Sequence, residues 1–299
     1  MRDIDRRSAA RPTRDDIAIA LDGSRPDRDN VTDDSYRAAL SLLESVMPQR
    51  FDRLRQLGAT GLVAASDRFD DMHRLLRLLR VDTIATSAIL DDESWPGILF
   101  IGCQRLTAAG HSRWFEQMLG RGAIVVSSDQ SASVAAVRSR IRLSKRRPVR
   151  RARLARSNAL TGGDRAAGWT SLPDGYFPAV RLAAGHLPLA RQPRSVTVLA
   201  NDRLTRTPQI VLATVGGGQV LHSVAHWWQE VEPDSTAIGQ LSVSDVPALA
   251  NLGRDFPRAR FGDLGAALAL LDCLVTGVDL ALDRAGILRP RGEQRVSTS

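Results

Sequence analysis

Two histidines, a short polar cluster and one of the two cysteines are the side chains here whose type and placement suit chemistry. His222 and His226 stand four apart in VLHSVAHWWQE, with Glu230 four further on. Ser127, Ser128 and Asp129 close the apolar run AIVV, so hydroxyls and a carboxylate fall where a buried strand would end. Cys103 closes a second such run, ILFIGC, and is followed by Gln104. A histidine beside a serine or cysteine can act as general base toward it, with an acidic residue orienting the ring. Histidines four apart share zinc when they lie on one helical face. VLHSVAH has strand character instead, which separates such residues by about 13 Å. No Cys/His cluster has zinc spacing, so the sequence predicts no metal and no cofactor.

Weaker patterns have plainer explanations. Asp22-Gly23-Ser24-Arg25-Pro26 is similar to the opening of a metal-ion-dependent adhesion motif, but Pro26 replaces its last serine and turn chemistry accounts for the rest. Gly216-Gly217-Gly218 has neither the Lys and Ser/Thr of a phosphate loop nor a following helix, and reads as a tight hairpin turn. Trp227 and Trp228 suit core packing, and Cys103 and Cys273, far apart in sequence, read as free buried thiols.

Charge is concentrated. The 299-residue chain carries a formal net charge of +8, and the run from Arg138 to Arg156 is basic at about half its positions with no acid among them. Arg138, Arg140 and Arg142 alternate with small or apolar residues, and Lys145, Arg146, Arg147, Arg150 and Arg151 extend the strip. Such a strip could track phosphates, dock an acidic protein, or guard an edge strand against self-pairing. Aromatic residues that would stack bases are missing nearby.

The elements that must position these residues follow from apolar patterning. DDIAIALDG reads as a short strand, and Asp33 or Asp34 as the cap of a helix SYRAALSLLESVM ending before Pro48. RFDRLRQLG reads as a second helix closed by Gly58. GLVAAS, VDTIATSAI, ILFIGC and AIVVSS read as strands, with helices DRFDDMHRLLRLLR and HSRWFEQMLGRG between them. Strands SVTVLAND, QIVLATV and QVLHSVAH follow, then a long apolar helix beginning at GDLGAALALLDCLV. Alternation of helices with wholly apolar strands predicts an α/β fold: a three-layer, flavodoxin-like sandwich with a mainly parallel sheet and a short N-terminal extension. No run approaches the roughly 20 apolar residues of a membrane span, no signal-peptide core is present, and two lone cysteines fit the cytoplasm.

Two stretches together, PGILFIGCQ…SRWFEQMLGRGAIVVSSDQSA and VGGGQVLHSVAHWWQE, resemble the class I glutamine amidotransferase-like superfamily, particularly its trehalose-utilisation-protein-like and other bacterial branches. The resemblance spans roughly residues 59 to 285, with residues 1–58 as an extension, a basic insertion at 138–157 and a polar tail at 286–299. It implies a nucleophilic cysteine on a sharp elbow after the strand AIVVSS, a downstream histidine and an acid. The elbow falls at Ser127, Ser128 and Asp129, none of them cysteine, while Cys103 belongs to the preceding strand end. His226 matches the family histidine, and Glu230 lies four residues on rather than two. The expectation is a degenerate, non-catalytic binding or adaptor protein of a bacterial multi-protein system, with protein partners. Its cleft would be lined by Ser66, Asp67, Cys103, Gln104, Ser127, Ser128, Asp129 and His226. The alternatives are a hydrolase or amidotransferase-like enzyme using His226 with Ser128 or an activated water, and a nucleic-acid-associated protein using the Arg138–Arg156 strip.

Overall fold

A computed structural model describes residues 26–66, 70–86, 89, 95–103, 109–129, 151–153, 181–183, 196–201, 207–228 and 240–286. The strand at DDIAIALDG lies outside them. Helices α1 (Pro26–Val46) and α2 (Pro48–Ala59) come first, broken at Met47 because Pro48 has no N–H to continue α1 and is well placed to start α2. Strand β1 (Val63–Ser66), helix α3 (Met72–Leu78), strands β2 (Ile84–Ala85) and β3 (Ile98–Ile101), helix α4 (Ala109–Gly120) and strand β4 (Ile124–Ser128) follow. Then come β5 (Arg151–Arg153), β6 (Arg181–Ala183), β7 (Val196–Asn201), β8 (Pro208–Val215), β9 (Gly218–Ser223), a short helix α5 (Ala250–Asp255) and the long α6 (Phe261–Ala285).

Seven strands form one sheet in the order β2-β1-β3-β4-β9-β8-β7. The pairs β1·β2, β1·β3, β3·β4 and β4·β9 are parallel, and the β7–β8–β9 hairpins are antiparallel. The sheet is therefore mixed and mostly parallel, with helices on both faces, as the apolar strands predict. The two-residue alternation of a strand divides the core. Ile98 and Phe100 of β3 join one cluster with Tyr36, Leu43, Phe51, Leu75 and much of α6. Leu99 and Ile101 face the other, with Phe115, Met118 and Leu119 of α4. β5 and β6 pair separately as a two-stranded antiparallel sheet.

Four expectations change. Gly58 does not close α2; it lies buried within it, and Thr60 is the C-cap. Asp33 and Asp34 do not cap α1; they lie within it, because each carboxylate has a tertiary partner. Asp33 holds the Arg74 guanidinium at 3.0 and 2.9 Å, and Asp34 accepts from the Arg258 amide at 3.1 Å. Helix α3 begins later than its apolar pattern suggests, because Asp71 caps it by accepting from the Arg74 amide at 2.8 Å. Finally, α6 is long and apolar enough to cross a membrane by length and composition, where the sequence reading found no such run. Its burial between α1, α2 and the sheet accounts for that composition, and Asp263 and Asp272 lie buried along it.

Candidate functional site

Parallel strands bring the same end of each chain segment to one rim, and open α/β sheets take ligands there, where the strand order reverses. Here β1 has β2 on one side and β3 on the other, so the reversal falls between β1 and β3. The Gly102 amide donates to Ser66 O at 2.9 Å, tying the two strand ends together and setting Cys103 just beyond β3. Next along the sheet, β4 ends in Ser127 and Ser128 and turns at Asp129. Beyond it, β9 ends at Ser223 and leads to His226. Asp67, Gln104 and Glu230 lie outside the described residues. So does most of the basic strip, including Arg138, Arg140, Arg142, Lys145, Arg146, Arg147 and Arg150; Arg151 opens β5.

Register decides which serine meets which histidine. Ser127 pairs with His222 and Ser128 with Ser223 across the β4·β9 ladder. Ser127 Oγ and His222 Nδ1 are 3.0 Å apart, both side chains buried. Burial, opposed by the charge of Asp129, lowers the His222 pKa to about 4. This histidine is therefore neutral at pH 7 and lies inside the sheet rather than on the rim. Ser128 is also fully buried, and its hydroxyl acts on the Asp70 carboxylate.

Asp129 is the strained residue of the rim. Its φ is +39°, a left-handed conformation that L residues other than glycine adopt at a cost, aspartate and asparagine least reluctantly. It is fully buried, and its Oδ2 accepts a hydrogen bond from Cys103 Sγ at 3.4 Å. A carboxylate thus occupies the left-handed position that closes β4. His226 completes the group: one donor atom from each of Cys103, Asp129 and His226 lies within 4.8 Å of the others. Cys103 and Asp129 are buried and His226 is half-buried.

The His226 segment is held from several sides. Asp70, buried between β1 and α3, accepts from the amides of Trp227 at 2.9 Å and Trp228 at 2.8 Å. Trp227 Nε1 donates to Ser127 O at 3.0 Å, and Tyr36 Oη donates to Trp227 O at 2.7 Å. The Trp228 ring packs against Tyr36 with centroids 4.4 Å apart, and the Arg74 guanidinium carbon lies over the same ring, 5.0 Å from its centroid. Desolvation pushes the Asp70 pKa up, while His226, the two tryptophan amides and Ser128 pull the other way. Sequence reasoning missed Asp70 by placing it inside a helix. The Asp70-Asp71 pair was the available signal, since a helix with one N-cap leaves the preceding acid to find another role.

No protein-family model matches the sequence, and no curated protein matches it significantly. Among solved structures the chain is similar to an exo-β-1,4-mannosidase from Opitutaceae bacterium strain TAV5, at 13% identity and TM-score 0.35, covering 66% of this chain and 30% of that one. A GH42 β-galactosidase from G. stearothermophilus gives 12% identity and TM-score 0.35, covering 57% and 28% respectively. A β-galactosidase from Bacillus circulans sp. alkalophilus gives 14% and 0.32, covering 58% and 31%. The chain spans less than a third of the length of each, and nothing about its chemistry follows from theirs.

Proposed function

We propose that this chain is a binding or adaptor component of a bacterial multi-protein system, built on a glutamine amidotransferase-like framework whose cleft does not run glutaminase chemistry. The supporting observation is Asp129: the residue that closes β4, held at a left-handed φ, carries a carboxylate that accepts from the Cys103 thiol. A carboxylate attacking an amide would have to form an anhydride, a higher-energy acyl group than the amide it came from. The donated S–H keeps its hydrogen on sulfur, whereas the thiolate is the nucleophilic form. Ser127 and Ser128 are buried and engaged elsewhere.

The test is to treat the purified chain with a glutamine-derived chloroketone and map adducts by mass spectrometry, alongside an ammonia-release assay with glutamine. The expected result is no adduct and no ammonia above a buffer blank. The rival reading is a hydrolase working through His226, and the closeness of its ring to the Cys103 sulfur favours that reading. Ammonia release with labelling at Cys103, both lost in His226→Gln, would establish the hydrolase and overturn the binding role.

A further inference from the structure

Thiol, carboxylate and imidazole meet at the ends of three neighbouring strands although the sequence separates them widely. We infer that Cys103, Asp129 and His226 form a site for a divalent transition-metal ion, with zinc(II) the best match to the donor set. The inference names a ligand for the cleft read above as a binding site, and rests on that reading.

Zinc holds thiolate sulfur at about 2.3 Å, imidazole nitrogen at about 2.0–2.1 Å and carboxylate oxygen at about 2.0–2.2 Å, so neighbouring donors of a tetrahedral site sit about 3.3–3.6 Å apart. Cys103 Sγ and Asp129 Oδ2 already lie 3.4 Å apart. The other two edges, bounded at 4.8 Å, need to close by no more than about 1.5 Å to reach such spacing. The half-buried His226 is the ligand with room to make that adjustment. Three protein donors leave a fourth position for water or a ligand, the arrangement of an open rather than a purely structural zinc site. A thiolate in the set disfavours magnesium and calcium, which take oxygen ligands, and one sulfur with nitrogen and oxygen suits zinc better than copper(I).

The surroundings are those of a prepared site. Asp129 is kept at φ +39°, which the fold maintains against the ordinary preference of the backbone. Asp70 fixes the backbone that follows His226 through the amides of the next two residues, which restricts where the imidazole can lie. Binding replaces the S–H donated to Asp129: the proton leaves to solvent, the sulfur lone pair goes to the metal, and the carboxylate turns the same oxygen to the ion.

The experiment uses the full chain, stripped with a chelator and kept reduced by a phosphine. Cobalt(II) is titrated as the spectroscopic probe, and zinc(II) in competition with a chromophoric chelator. The expected result is one cobalt per chain, a near-ultraviolet sulfur-to-cobalt charge-transfer band with tetrahedral d–d bands, and displacement of both by zinc. Cys103→Ser should abolish the charge-transfer band and Cys273→Ser should keep it, since Cys273 is buried in α6. His226→Gln should weaken zinc at least about tenfold, and Asp70→Asn, at a positioning residue, by a smaller factor with the band retained. Absence of the band in the wild-type chain, its survival in Cys103→Ser, or unchanged zinc affinity in His226→Gln would each overturn the site. The wild-type spectrum decides even if a variant fails to fold. No metal and no ammonia release would sink the metal site while leaving the binding role; ammonia release dependent on Cys103 would sink the binding role as well.

Discussion

His222 sits within the sheet with its imidazole shut off from water, and that has a consequence for stability. Its folded pKa, lowered by burial to about 4, lies below the ordinary value of 6.5. Below pH 6.5 the unfolded chain takes up a proton on this ring while the folded chain does not, so stability is full above that pH and falls until the folded pKa is reached. The slope is about 1.4 kcal/mol per pH unit, or about 3 kcal/mol across the window. His222→Gln, which has nothing to protonate, should show a stability curve flatter by about 2–3 kcal/mol between pH 7 and pH 4.5, measured by urea unfolding. Parallel curves for the two proteins would show that His222 does not stay neutral inside the fold. At this scale the sequence is only partly informative. Ser127, Asp129, Cys103 and His226 attract attention by their place after apolar runs. What cannot be read is that register gives Ser127 to His222, or that Cys103 reaches Asp129, because both contacts are made between strands by segments distant in sequence.

The hairpin between β8 and β9 shows what an element needs from its sequence. Gly216 has φ +63°, which the turn requires, while Gly218 allows a close approach of backbones. A Cβ on Gly218 would stand 2.4 Å from Ala123 O and 2.8 Å from Leu119 O, both of them backbone atoms that cannot swing aside. Gly218→Ala should therefore push the hairpin from the α4–β4 connection and cost about 1–3 kcal/mol in thermal or urea unfolding. Gly120→Ala is the control: its Cβ meets nothing within 4 Å, and it should be neutral or stabilising by up to about 1 kcal/mol. Equal losses in the two variants would mean that the close backbone approach at Gly218 does not set the effect. The tight-turn reading of these glycines and the apolar strands β3 and β4 were legible because their patterns are local. The start of α1 was not, because Asp33 and Asp34 look like caps until their distant partners Arg74 and Arg258 are seen, and neither was that of α3, where Asp71 takes the cap.

Across the whole molecule, the apolar and the charged parts of the sequence are set apart. Helix α6 supplies the middle of the larger core cluster, with α1 and α2 covering it, and Arg53 of α2 bridges to Asp279 at 2.9 Å and Asp283 at 2.8 Å. Such half-exposed pairs fix the helices side by side more than they stabilise the fold. The net charge of +8 has a different origin: the run Arg138–Arg156 contributes ten positive charges, so the remainder of the chain carries −2. That run is the one long basic stretch of the sequence, while the net charge of the remainder gives polyanions no attraction. The chain should bind heparin at low salt and elute as salt rises, and deletion of residues 138–156 should abolish retention. On duplex DNA, each phosphate contact contributes a slope of about −0.9 in log affinity against log salt, so five engaged arginines would give about −4 to −5. Replacing Arg138, Arg140 and Arg142 with Gln keeps the chain length and should remove about three contacts' worth of that slope. Retention that survives the deletion would place the anion-binding surface elsewhere on the molecule. A slope unchanged by the triple substitution would show that the alternating arginines do not touch the polyanion, leaving Lys145–Arg151 as the segment that does.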